Sequence, residues 1–178
     1  MNPPEFSRLV KDRQLPAATL VLEANEAERS ALAARFGVPR VDALRAEVSL
    51  EQDGKAIAAR GTLTAHIVQL CAISGEEFEV AIEEPLALRF VEEGSVDPAL
   101  ADADEEIEIE LSADELDEIE YSGESFDLGE AVAQSLGLAI DPYAEGPNAD
   151  AARKQAGIVG DDAPSGPLAD ALRALKRE

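Results

Sequence analysis

The only His and the only Cys of this chain, His66 and Cys71, stand five positions apart. A thiol and an imidazole that close together raise the question of an activated nucleophile. On a β-strand, however, odd and even positions face opposite sides, so the two groups point away from each other. A packed thiol and a solvent-facing imidazole are the expectation. A single Cys also excludes an internal disulfide and a multi-thiolate zinc site within one chain. The sequence has no Gly-rich phosphate loop, Walker lysine or nucleophile elbow. Asp102-Ala103-Asp104-Glu105-Glu106 offers oxygen ligands, but it lacks the Gly and the spaced bidentate Glu of a calcium loop. Carboxylates suited to acid–base work are abundant, and no pair stands out from the rest. The reading is a protein that is not an enzyme and uses no metal, cofactor or small-molecule substrate.

Charge carries more information than these side chains do. Fifteen Lys and Arg face 38 Asp and Glu, for a formal net charge of −23 over 178 residues. Such a chain repels nucleic acid and anionic membranes at long range and attracts basic partners. The imbalance is concentrated in one region. Between Phe90 and Ala152 there is no Lys, Arg or His, and 20 of the 38 acids lie there. The cations gather earlier, at Arg8, Lys11, Arg13, Arg29, Arg35 and Arg40. Any direct nucleic-acid contact would have to use that zone. The N-terminus shows no basic segment followed by an apolar one, and no apolar run approaches the length of a membrane span. A soluble, cytoplasmic protein without membrane contact is expected.

The elements that would position these groups follow from periodicity. Residues 41–91 read as one long antiparallel meander. Leu44, Ala46, Val48 and Leu50 alternate with polar residues, and Asp53-Gly54 marks a two-residue hairpin turn. Pairing Gln52 with Lys55 would set Leu50 against Ile57, Val48 against Ala59, Ala46 against Gly61 and Leu44 against Leu63. The second turn is the loop at residues 71–76. There Cys71 would face Glu76, and Gly75 would take a left-handed conformation. Glu84-Pro85 interrupts the third strand and predicts a bulge or an edge position.

Short strands are expected near residues 4–10, 18–22, 107–111 and 116–126. Asn25 and Glu28 form a capping box that opens a helix stopped by Gly37 and Pro39, with Leu32, Ala33 and Phe36 as its docking stripe. Asp127 caps a last core helix whose apolar face holds Leu128, Ala131, Val132, Ser135, Leu136 and Leu138, with Gly137 beginning its end. Residues 92–105 read as an acidic loop. Leu168, Ala171, Leu172 and Leu175 give a short terminal helix after Pro167. The predicted fold is α+β: an antiparallel β-meander, open or partly closed into a barrel, with two packed helices. Residues 1–148 form a single domain, and 149–178 a loosely held tail ending in the short helix.

Four blocks of this sequence resemble the YceD family, which is implicated in the accumulation of large-subunit ribosomal RNA. Phe6-Ser7-Arg8 is similar to the family's opening strand. Cys71-Ala72-Ile73-Ser74-Gly75-Glu76-Glu77-Phe78 resembles its pattern of two Cys three positions apart followed by a Phe. The helix from Asp127-Leu128 through Gln134-Ser135-Leu136-Gly137-Leu138 to Asp141-Pro142 resembles the third block. Pro167-Leu168 to Leu175-Lys176 resembles the fourth. Ser74 stands where many members carry the second Cys, so thiol chemistry that needs two sulfurs is not open to one copy of this chain.

The resemblance implies a non-enzymatic factor in large-subunit assembly, acting through a ribosomal protein or pre-ribosomal particle, with rRNA contact open. Arg8, Cys71, Ser74, Gly75, Phe78, Asp127, Gln134 and Pro142 are the partner-binding candidates. The competing reading is an acidic interaction module or nucleic-acid mimic that fills the basic groove of a partner.

Overall fold

In the computed structural model, residues 4–94 and 117–158 are described. The expected strand at 107–111, the acid run at 102–106, most of the acidic loop and the terminal helix lie outside them. The described chain is α+β, with ten elements. They are β1 (Leu9–Lys11), β2 (Leu20–Glu23), α1 (Glu26–Phe36), β3 (Arg40–Asp53), β4 (Ala56–Leu70) and β5 (Glu77–Glu92), then β6 (Asp117–Tyr121), β7 (Ser125–Asp127), α2 (Leu128–Ala139) and α3 (Ala149–Ala156). A five-stranded sheet runs in the order β2-β3-β4-β5-β6, and β1 pairs with β7 in a separate ladder. The meander is present as expected, and among the described residues the sheet remains open. Between β5 and β6 the pairing is parallel, with Leu88 opposite Asp117.

The hairpin register differs from the sequence reading by two residues. Asp53 pairs with Ala56, so Leu50 meets Ala59, Val48 meets Gly61, Ala46 meets Leu63 and Leu44 meets Ala65. The turn residues are Gly54-Lys55 rather than Asp53-Gly54, and Gly54 has φ 61° at the first turn position. A positive φ at that position alone is the type II′ arrangement, which wants Gly first; the type I′ turn would have required it of Asp53 as well. Alternation cannot distinguish the two registers, because a slip of two leaves every side chain on its own face. Gly61 opposite Val48 explains why the observed register tolerates no side chain there. A Cβ on Gly61 would lie 1.8 Å from the Glu47 carbonyl oxygen. Near the start of β3 the ladder slips between Val41 and Ala43, bulging at Asp42.

Both large helices cover the apolar side of this sheet. Asn25 caps α1 with both halves of the capping box formed, and Gly37 closes it at φ 66°. Leu32 is fully buried, and Phe36 packs against the core. Asp127 caps α2, whose Leu128, Val132 and Leu136 are fully buried. Helix α2 continues through Gly137 to Ala139, so Gly137 is not a stop. A Cβ there would come within 3.0 Å of the Phe36 ring, and the absent side chain lets the two helices approach. Leu138 is 85% exposed and does not belong to the core face, because it stands two residues past Leu136, about 200° round the helix from the stripe of Leu128, Val132 and Leu136. Phe90 and Phe126 stack at 4.2 Å between centroids and fill the centre together with Phe6.

Two compact units emerge. One comprises Met1–Gln69 with Glu79–Pro142 and holds this core; the other comprises Leu70–Phe78 with the chain from Tyr143 onward. Among the described residues no helix is long and apolar enough to cross a membrane.

Candidate functional site

The candidate residues fall into two groups, one in each unit. In the larger unit the opening block meets the start of α2. Asp127 must satisfy the first N–H groups of the helix it caps, and its carboxylate does so by accepting from the Glu130 N–H at 3.1 Å. The same carboxylate accepts from the Arg8 N–H at 2.8 Å and from the Ser7 hydroxyl at 2.5 Å. Leu128 returns an N–H to the Arg8 carbonyl at 3.0 Å. The two chains can come this close because residue 129 is Gly: a Cβ there would sit 2.6 Å from the Arg8 nitrogen.

The guanidinium of Arg8 lies over the Phe6 ring at 4.4 Å and binds both oxygens of Glu28, at 2.7 and 3.0 Å. Hydrogen bonding from Arg8 holds the Glu28 carboxyl below its ordinary value, and the Arg8 pKa is raised in turn. Glu28 also completes the capping box of α1. One small cluster thus ties the first strand to the starts of both helices. Its chemistry is structural pairing: the hydroxyl and the guanidinium are both engaged by carboxylates. Gln134 is exposed and donates to Glu130 at 3.1 Å, while Glu130 is bound by Arg35 at 2.8 Å. Pro142 is exposed at the exit of α2, where the neighbouring Asp141 carbonyl accepts from the buried Gln69 side chain at 2.9 Å.

In the second unit the loop at residues 71–76 closes as expected. Cys71 donates its N–H to the Glu76 carbonyl at 2.8 Å, Gly75 donates to the Cys71 carbonyl at 2.9 Å, and Gly75 has φ 71°. The Cys71 thiol is buried. The Ser74 N–H points at its sulfur from 3.3 Å. Hydrogen bonds from Ser74, through its hydroxyl first and then its backbone, with help from the N–H groups of Gly146 and Ile73, bring the thiol down to about 7. At the position of the second Cys, Ser74 therefore acts as a donor to the first. Phe78 packs on Gly146, where a Cβ would meet its ring at 3.0 Å.

The returning chain completes the unit, and residues 149–156, expected to belong to a loosely held tail, form α3. Ala72 donates to the Ala144 carbonyl at 3.0 Å, and the Asn148 side chain donates to Glu76 at 2.9 Å. That use of Asn148 leaves α3 without a side-chain cap. Arg153 binds Glu145 and Asp150. The signals for α3 were Asn148 at the start and Gly157 in left-handed geometry at the end. Its Ala-rich turns show no apolar period to flag it.

Three of the six cations in the early cationic zone are engaged in internal ion pairs. Arg8 is bound by Glu28, Arg35 by Glu5 and Glu130, and Arg40 by Asp42 at 2.5 Å. Arg29 donates to the Ala24 carbonyl at 2.8 Å. The carboxylates offset the charges of Arg8, Arg35 and Arg40, whereas the carbonyl leaves that of Arg29 uncompensated. Cys71, Ser74, Gly75 and Phe78 share one loop, Arg8 and Asp127 share one joint, and Gln134 and Pro142 lie further along the block that Asp127 opens.

No curated protein and no solved structure matches the chain. A family pattern matches residues 59–176, two thirds of the chain, spanning the Cys71 loop, α2 and α3. The chain belongs to the YceD family, described as large ribosomal RNA subunit accumulation proteins.

Proposed function

We propose that this protein is a non-enzymatic factor in large ribosomal subunit assembly, which supports accumulation of the subunit's RNA by holding a basic ribosomal protein. Membership in the YceD family over residues 59–176 carries the reading. The net charge of −23 favours a basic protein over naked RNA as the direct contact, since phosphate and carboxylate repel. The internal pairing of Arg8, Arg35 and Arg40 points the same way. On this reading the Ser7–Arg8–Asp127 joint sets the geometry of the larger unit. The loop at 71–76, braced by 143–149, presents a shaped contact surface rather than a reactive thiol. On this reading the protein acts in the cytoplasm, beside the ribosomal particles it serves. Affinity capture of the tagged full chain from cells should recover large-subunit proteins or pre-ribosomal particles, and the yield should drop as salt is raised. Recovery of neither would sink the reading.

A further inference from the structure

Large apolar side chains that meet water are unevenly shared between the two units. Among the described residues seven are exposed, and four of them, Leu70, Ile73, Tyr143 and Ile158, belong to the smaller unit. Exposed apolar residues scattered singly need no explanation, whereas a cluster of them marks a contact surface. Three of the four gather at one place. Ala72 donates its N–H to the Ala144 carbonyl at 3.0 Å, so Ile73 and Tyr143 each stand one residue from that bond and Leu70 stands two. With about 3.8 Å between consecutive Cα atoms, the three positions lie within roughly 16 Å of one another. Leu70, Ile73 and Tyr143 are 54%, 36% and 79% exposed, while Cys71 beside them is buried. The loop turns its thiol inward and its larger apolar groups outward.

Charge chooses the occupant of this patch. Glu76 and Glu77 are exposed on the same loop, and the chain has no Lys or Arg between Arg60 and Arg89. Asn148 donates to Glu76 through a neutral amide, which leaves the carboxylate its charge. The cations of the described unit, Arg153 and Lys154, stand on α3, where Arg153 is bound by Glu145 and Asp150. An apolar patch beside uncompensated glutamates favours a segment that carries both cations and an apolar side chain. A second copy of this chain brings another −23 to the contact and is repelled.

We infer that Leu70, Ile73 and Tyr143 form the seat for an apolar side chain of a basic segment of a partner protein, whose cations meet Glu76 and Glu77. Burial of the seat supplies affinity, while the glutamates supply selection and speed of encounter. The inference rests on the reading of a basic ribosomal partner and names where on the chain that partner is held. The two fail separately. Peptide binding is read residue by residue on the purified protein, and capture of ribosomal proteins in cells. Capture without any effect at these side chains would leave the assembly reading standing and remove the seat.

The test titrates the isotope-labelled full chain with a synthetic Lys-Lys-Leu-Lys-Phe-Lys-Lys peptide, using a Lys-only peptide of equal charge as control. The methyl signals of Leu70 and Ile73 and the ring signals of Tyr143 should shift on binding. The Lys-only peptide should bind at least about tenfold more weakly, as should the L70D and I73D variants, because each loses apolar burial. Both variants change exposed positions and should keep the wild-type circular dichroism. E77K should also weaken binding, by a margin that shrinks at high salt. Shifts confined to other residues, equal binding of the Lys-only peptide, or unaffected binding by folded L70D and I73D would overturn the proposal. So would contacts from residues 159–178 to these side chains in the free chain, which would mean the chain covers its own patch, or concentration-dependent pairing of two copies through it.

Discussion

Replacing Asp127 by Ala removes three hydrogen bonds from one partly buried carboxylate: those from the Glu130 N–H, the Arg8 N–H and the Ser7 hydroxyl. A lost helix cap costs about 1 kcal/mol. Each charge-assisted bond adds roughly 1.5–3 kcal/mol when its donor is left in protein. The site is only partly buried and water can reach some donors, so roughly 3 kcal/mol in total is the expectation. For a protein of this size that lowers Tm by about 10 °C. Asp127→Asn keeps an acceptor for the cap and should cost about 1 kcal/mol, which separates the cap from the charge. Urea unfolding of the full chain measures both, as a shift in midpoint at unchanged slope. If Asp127→Ala cost less than about 1 kcal/mol, the joint between the first strand and α2 would not be the brace described above. At a temperature where Asp127→Ala remains folded it should still complement a gene deletion, since the joint acts by holding shape. Complete loss of function in a folded variant would instead make Asp127 a contact residue.

Gly61→Ala places a methyl 1.8 Å from the Glu47 carbonyl, so the β3–β4 ladder must open, at a cost of several kcal/mol; circular dichroism and denaturant titration check it, and a near-neutral result would show the register to be wrong. Glu28→Gln tests the Arg8 pair through pH. The Glu28 carboxyl titrates below its ordinary 4.5 in the folded state, so its contribution is present above that value and lost as pH falls through the lowered one. The stability gap between wild type and Glu28→Gln should therefore be full at pH 7 and narrow from 4.5 downward. The gap is the quantity to follow, because acid also relieves repulsion among the 38 carboxyl groups. Ser74→Ala removes the leading donor to the Cys71 sulfur, so the thiol, near 7 in the wild type, should move back towards 9.0; thiolate absorbance against pH reads this, and an unmoved midpoint would deny Ser74 its role.

Much of the fold was legible because local chemistry and periodicity agreed. Asn25 with Glu28, Gly37, the alternating β3 and the Asp127 cap each satisfy a backbone need that the residue types announce. The hairpin register escaped because a slip of two preserves the face of every side chain; what separates the alternatives is that Asp53 takes no positive φ and pairs with Ala56. Gly137 looked like a helix end and proved to be a close-packing point against Phe36, which no local pattern reveals. The parallel pairing of β6 with β5 and the β1–β7 ladder join residues far apart in sequence, beyond the reach of periodicity. At the candidate sites, sequence located Arg8, the Cys71 loop and Asp127 one by one. It did not show that Ser7 and Arg8 close onto Asp127 and Glu28, or that residues 143–149 return to the loop. Those contacts span 119 or more residues for Arg8 with Asp127 and 72 for Asn148 with Glu76.

The most direct measurement of the assembly role is the ratio of large-subunit to small-subunit RNA in ribosome profiles of cells with and without the gene. Loss of the gene should lower that ratio and deplete the free large subunit, and the wild-type chain should restore both. An unchanged ratio in cells shown to lack the protein would contradict the account.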